Sequence, residues 1–244
     1  MKIENEKVGP RNLYWRGEVL DGNDGLRWYK KASTMFSMGR YKPATEGLYK
    51  QEITLEPGYG KWLFALDAPE FIQFDNDKKQ IALEAGYGNV FKLKLDTGQR
   101  LVYTAYSNLD GKNRFAQANL NRYLGGVNNA SDEIISLVDQ LTESAQTTQE
   151  KAQSVLKYFA QNFRYTLNPG PMQSNSVDEF LFETKQGFCE HFAASFSYLM
   201  RVAGVPSRVV LGFQGGKPND LLPGYLTVKE SDAHAWAEIW DAET

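Results

Sequence analysis

The sequence predicts an α+β protein in two parts, a β-rich part over residues 1–126 and a helix-then-strand part over 127–244. Three observations carry this. From Leu13 to about Tyr106, short aromatic runs are punctuated by Gly, Pro and Asp, the pattern of a β-sandwich or barrel-like domain. At Leu124-Gly125-Gly126-Val127-Asn128-Asn129-Ala130 the apolar period changes from 2 to 3.6. Beyond that boundary amphipathic helices come first and strands follow.

The 244 residues are enough for one large domain or two ordinary ones, and 42% apolar with 13% aromatic residues supplies ample core. The charge, 27 basic minus 30 acidic or −3, comes without a basic block and excludes an electrostatic case for nucleic acid. No apolar run approaches the ~18 residues of a membrane helix, and Met1-Lys2-Ile3-Glu4-Asn5-Glu6 is not a signal peptide. Taken literally, the chain reads as soluble and untargeted.

In the first part, Leu13 to Leu20 leads into Asp21-Gly22-Asn23-Asp24-Gly25, two Asp-Gly turn signals, and then Leu26 to Tyr29, which predicts a hairpin. Tyr49–Leu55, Trp62–Leu66, Phe71–Phe74, Gln80–Leu83, Val90–Leu95 and Arg100–Tyr106 read as further strands. This part contains no Cys or His, and its acids cluster in turns, so its role is read as structural.

In the second part Ser131 is the N-cap of a helix with Ile134, Leu137, Val138, Leu141 and Ala145 on one face. Thr147 with Glu150 forms a capping box opening a second helix, whose apolar face carries Ala152, Val155, Leu156, Phe159 and Phe163. Phe163–Leu167 reads as extended. Ser176 with Glu179 makes a second capping box before a short helix, and Glu183–Gln186 is a polar link. Phe192, Ala193, Phe196, Leu199, Met200 and Ala203 then mark a helix beginning at Cys189 and stopped by Gly204 and Pro206. Arg208–Phe213 and Tyr225–Val228 read as strands, and Gln214–Asp220 between them as a loop, a candidate mobile wall of a cleft. From Ser231 to Trp240 the alternation is strict, with His234, Trp236, Glu238 and Trp240 on one side of a strand.

Cys189 is the only cysteine, so no intramolecular disulfide forms. A thiol at a helix N-terminus meets unpaired N–H groups and the positive end of the dipole, which favour the nucleophilic thiolate. The bland alternative is a small buried core residue. The chain has two histidines to test as its base. His191 lies two residues along the same helix, about 200° around the axis, and cannot face the thiol; it reads as a surface or supporting histidine. His234 lies 45 positions downstream on a strand, the arrangement in which an imidazole takes the thiol proton and later protonates a leaving group.

Gly187-Phe188-Cys189-Glu190-His191-Phe192-Ala193, Leu199 to Val210, and Asp232-Ala233-His234-Ala235-Trp236-Ala237-Glu238-Ile239-Trp240 together resemble the transglutaminase-like core of the papain-like thiol superfamily. The resemblance covers roughly residues 131–244 and is nearest to bacterial membrane-anchored proteins of the TgpA type, which carry this domain on the periplasmic side. Tyr14-Trp15-Arg16-Gly17 and Asp24-Gly25-Leu26-Arg27-Trp28 resemble that family's β domain more weakly. The resemblance implies a catalytic pair, Cys189 as nucleophile and His234 as general base and acid. It implies acyl transfer through a thioester, from a glutamine-bearing protein or peptide to an amine or to water, with no cofactor. The oxyanion would be held by the Cys189 N–H and one upstream donor, for which Tyr165 is a candidate. Arg208 would clamp the strand from beneath and Trp236 would shield the His234 ring. Some animal relatives use calcium, but no acidic cluster here has ligand spacing.

The family's third member is an aspartate on the strand after the histidine, and nothing up to Thr244 matches it. Asp241 lies too far along an extended strand to reach His234, and Asp232 would run parallel to the ring. A hairpin return would put the acid at about 249–252, so the sequence reads as a C-terminally incomplete core of low activity. Its parent would be anchored in the inner membrane with this region on the periplasmic side. The same residues leave open a cysteine protease or amidase, and a non-catalytic interaction module.

Overall fold

The structure, a computed structural model, describes residues 2–3, 13–31, 36–37, 45–74, 83–86, 88–109, 117–174 and 176–241. The fold is α+β, as the sequence predicts, and the chain forms two compact units. The first comprises residues 1–18, 32–113 and 211–234; the second comprises 19–31, 114–210 and 235–244.

The first unit is built on β-structure. One antiparallel sheet has the strand order Lys2–Ile3, Tyr49–Leu55, Leu101–Ser107, Pro69–Gln73, and a second has Phe36–Ser37, Leu83–Gly86, Val90–Leu93, Trp62–Leu63. Their inward residues, among them Ile53, Leu63, Phe91, Leu93, Tyr103 and Ala105, share one core with the fully buried Trp15. Each large apolar side chain removed from water contributes about 1.5–3 kcal/mol, so this alternation holds the unit. Two buried polar groups of this unit find partners in it: the Tyr103 hydroxyl donates to the Phe64 carbonyl at 2.7 Å and the Trp15 indole to the Gly215 carbonyl at 2.8 Å.

Several expectations are refined. Trp62–Leu66 is two short strands broken at Phe64, and Val90–Leu95 stops at Leu93, leaving Leu95 exposed. Of Gln80–Leu83, residues 80–82 lie outside the described residues and Leu83 opens a strand. The segment read as a loop over Gln214–Asp220 carries Lys217–Pro218, paired antiparallel with Leu226–Thr227. Asn219 closes that hairpin by accepting from the Leu221 and Leu222 N–H groups and donating to Thr227.

Among the described residues the second unit has three α-helices, α1 (Asp132–Thr142), α2 (Thr148–Asn162) and α3 (Cys189–Val202). The N-caps predicted for α1 and α2 form. Ser131 accepts from the Ile134 N–H at 3.2 Å, and Thr147 with Glu150 makes a reciprocal box. Ile134, Val138, Val155, Phe159, Phe180, Leu199 and Met200 form the core, with Ala237 and Ile239 of the last strand packed on it. In the same unit Gly22–Asp24 pairs with Arg27–Tyr29, so only the second Asp-Gly pair makes a turn, with Gly25 at φ 64°. Asp21-Gly22 instead starts a strand because Asp21 is held by Lys31 and Arg122.

In the first unit Trp15 and Arg16 also pair antiparallel with Leu66 and Ala65.

Candidate active site

Cys189 is the first residue of α3, and Phe188, in extended conformation, precedes it as the cap. The chain reaches it in steps fixed by local chemistry. A π-helical turn, Glu179–Thr184, ends at Lys185, which adopts a left-handed φ of 47°. The predicted polar link therefore gives way to a two-residue strand, Gln186–Gly187, parallel to Arg164–Tyr165. Arg164 donates its N–H to the Lys185 carbonyl at 2.9 Å and Thr166 to that of Gly187 at 2.8 Å. A Cβ on Gly187 would lie 2.8 Å from Cβ and Cγ of His191, so only glycine fits there without a shift.

Nine consecutive residues of α3, Ala193 to Arg201, are buried, so the helix is packed on all sides rather than along the one face the periodicity marks. The Ser195 hydroxyl is buried without a partner among the described residues, whereas Ser197 and Arg201 are answered from neighbouring chain. Arg201 donates to the carbonyls of Ser207, Gly125 and Asp21, and its guanidinium lies 4.5 Å from the centre of the Trp28 ring. Burial lowers the Arg201 pKa to about 10. Ser207 donates to the Ser197 carbonyl at 2.6 Å. A rigid helix thus presents a half-buried thiol at its first turn.

His191 caps that turn. Its Nδ1 accepts the Phe188 N–H at 3.4 Å, and its ring lies edge-on to Phe188 and stacked on Phe180. Burial pushes its pKa down against the opposing pull of Glu190, so the acceptor form is favoured. Sequence reasoning missed this role, because the usual signature of a capping box is Glu or Gln at that position.

Tyr165 is the upstream residue that the structure brings to Cys189. Its ring stacks on Phe192, one turn along from the thiol, at 6.0 Å between centroids. Its backbone is paired with that of Gly187, two residues before Cys189. Burial first, then the charge of Cys189, raise its pKa, so the hydroxyl keeps its proton.

The loop before the π-helical turn is tied by Glu179, whose carboxylate accepts from the Gln173 and Ser174 N–H groups, each at 2.6 Å. These bonds, led by that of Gln173, lower its pKa. Only half of the predicted Ser176–Glu179 box forms: Ser176 accepts the Glu179 N–H at 3.1 Å while the carboxylate turns to the loop.

His234 is the second residue of the strand Ala233–Ile239, half-buried, its ring 6.1 Å from that of Tyr14. Burial lowers its pKa, leaving the neutral imidazole that can accept a proton. Asp232 accepts the Lys229 N–H at 2.8 Å and so closes the short turn Glu230–Asp232. Farther along, Glu238 pairs with the buried Arg208 at 2.7 Å and accepts from the Trp236 indole at 3.4 Å. Arg208 also faces the Tyr123 ring at 5.5 Å, so it does clamp the strand. Cys189 belongs to the second unit and His234 to the first. Among the described residues no group of three His, Cys, Asp or Glu side chains could hold a metal ion, and no helix is long and apolar enough to cross a membrane.

Residues 135–244 match the transglutaminase-like superfamily, and residues 2–111 match the TgpA N-terminal domain family. The whole chain is 30% identical to a protein-glutamine gamma-glutamyltransferase of Pseudomonas aeruginosa, of which it spans 36%. Half of the chain is 30% identical to 18% of the uncharacterized protein YebA of Bacillus subtilis. The crystal structure of the periplasmic domain of TgpA from Pseudomonas aeruginosa bound to ethylmercury superposes with a TM-score of 0.81 at 29% identity, covering 99% of this chain and 84% of that one. A second structure of that domain gives 0.77 at 28%, over 98% and 82%.

Proposed function

Because the chain is a transglutaminase-like domain protein of the TgpA type, we propose that it transfers acyl groups through a thioester on Cys189, with His234 as base and acid. The observation that carries this reading is the thiol itself, a lone cysteine opening a buried helix at a fixed N-terminal turn. His234 takes the thiol proton. The sulfur attacks the carbonyl carbon of a glutamine side-chain amide, a C–S bond forms and the carbonyl π pair moves to oxygen. Helix-start N–H groups, that of Cys189 among them, stabilise the resulting oxyanion. On collapse the C–N bond breaks and ammonia leaves with the proton from His234. An amine then attacks the thioester, gives its proton to His234, and the thiolate departs.

Water in place of the amine gives a hydrolase, and a peptide bond in place of the side-chain amide gives a protease. Incorporation of a labelled primary amine into a glutamine-bearing protein, measured beside ammonia and peptide release, decides among them. Loss of incorporation in Cys189→Ala is expected; incorporation that survives this substitution would defeat the reading. A non-catalytic module would show Cys189 no more reactive toward an electrophile than an ordinary free cysteine. The periplasmic origin of the superposing structures supports placing this region outside the cytoplasm, in a protein anchored in the membrane. The β-rich sequence before residue 127 is then a partner domain to the catalytic core that follows.

A further inference from the structure

Tyr14 opens the strand Tyr14–Leu20, between Leu13 and Trp15, both buried in the core of the first unit. Strand alternation turns the Tyr14 ring away from that core. Gln214 alternates in the same way next to the core residue Phe213, and its Nε2 donates to the Tyr14 hydroxyl at 2.8 Å. The surrounding chain is cross-tied. Gly215 donates its N–H to the Leu13 carbonyl at 2.7 Å and accepts the Trp15 indole at 2.8 Å, while the Asp67 N–H holds the Tyr14 carbonyl at 2.9 Å. Tyr14 is thus fixed at its backbone and, by a residue 200 positions away, at its hydroxyl. What this fixed ring meets is His234 of the same unit, 6.1 Å away between centroids and tilted by 47°. That spacing falls within the ~4.5–7 Å of paired rings. The outer torsion of a histidine is broad, so packing decides where the ring nitrogens point when no hydrogen bond does so. Of the charged groups in the turn before His234, Lys229 and Glu230 are exposed and Asp232 is engaged with the Lys229 N–H.

We infer that Tyr14, oriented by Gln214, is a positioning residue for His234: its ring holds the imidazole in one orientation and keeps water from that side of it. The inference rests on the proposal that His234 is the base. Tyr14 neither gives nor takes a proton. His234 accepts the thiol proton at a ring nitrogen and returns it to the leaving ammonia, and both transfers need that nitrogen aimed at the reacting atom. The role of the β-rich part thereby extends beyond support. Tyr14 lies within residues 2–111, which match the TgpA N-terminal domain family, whereas His234 lies within the transglutaminase-like residues 135–244.

Tyr14→Ala removes the ring, whereas Tyr14→Phe and Gln214→Leu each remove only the hydroxyl tie; a thermal melt checks that each variant folds. The first readout is the NMR titration of the His234 Cε1–H, identified as the signal missing from His234→Ala. Burial holds the His234 pKa below 6.5, and Tyr14→Ala should raise it toward that value, while Tyr14→Phe should move it less. The second readout is incorporation of a labelled amine. Tyr14→Ala should lower kcat about 10–100-fold with KM unchanged, the cost of a misdirected base. Tyr14→Phe and Gln214→Leu should each cost about 2–10-fold, and the double variant no more than either alone, because both act on one bond. Should Tyr14→Ala fail to fold, this double-variant comparison, made on kcat and on the His234 titration, decides. An unmoved His234 signal in Tyr14→Ala, a rise in KM without loss of kcat, or additive losses in the double variant overturns the inference. Failure of the acyl-transfer reading is seen separately, as a protein whose His234 responds to Tyr14→Ala although the wild type passes no acyl group to amine or water.

Discussion

The start of α3 and the start of the last strand each carry one of the two histidines, both half-buried and both with the pKa lowered by burial. They differ in what holds them. His191 has its Nδ1 committed to a backbone N–H and its ring between two phenylalanines, with Gly187 pressed against it. His234 has a tilted tyrosine as neighbour, and among the described residues no hydrogen bond fixes its ring. A histidine tied into the backbone shapes a site, whereas one left with its nitrogens uncommitted can move protons. On the proposed reading, proximity in sequence to the thiol is a poor guide to which histidine takes the proton.

The largest effect should come from exchanging these roles. His234→Ala is expected to lower acyl transfer about 10²–10⁴-fold, the range for a lost general base. His191→Ala should change iodoacetamide alkylation of Cys189 only a few-fold while lowering the melting temperature through a lost cap of about 1 kcal/mol. Equal kinetic losses would erase the distinction. On the strand side, stability resides in the Arg208–Glu238 pair. Glu238→Ala leaves a buried cation without its carboxylate and should cost about 3–5 kcal/mol in chemical denaturation. If it costs no more than a surface substitution, the strand is held by packing alone.

Acid should act on both regions together. Each imidazole binds a proton less readily folded than unfolded, because its pKa is depressed below 6.5. Stability is accordingly intact above about pH 6.5 and is lost as pH falls from there through the folded values. Melting temperatures measured across that window should drop, and less steeply in His191→Asn; a slope unchanged by the substitution would remove His191 from the account. The smallest effect is expected from Asp232→Asn, within about twofold in turnover, since this carboxylate caps a turn rather than serving the ring. Loss of activity there would make Asp232 the partner of His234.

Features set by neighbouring residues were legible in the sequence. The caps at Ser131 and Thr147 and the α3 start at Cys189 follow from side chains meeting backbone within one turn. Those involving distant chain were not. Nothing in the period of Phe163–Leu167 signals that Tyr165 pairs with Gly187, because a two-residue parallel contact leaves no alternation to read. The Glu179 carboxylate leaves its expected cap because a folded-back loop offers it two N–H groups. The face read on α3 was real but partial, since Arg201 is buried by satisfying three carbonyls that lie far apart in sequence.

The all-round burial of α3 has a consequence for the timing of local opening. Amides from Ala193 to Arg201 can reach solvent deuterium only when the surrounding unit comes apart, so they should be the slowest to exchange. The two-residue strand at Tyr165 is secured by a pair of bonds at the surface and can fray alone. Isotope uptake would then divide the neighbourhood of the thiol: a slowly exchanging segment that begins one turn after the sulfur, and a short strand at Tyr165 that opens alone.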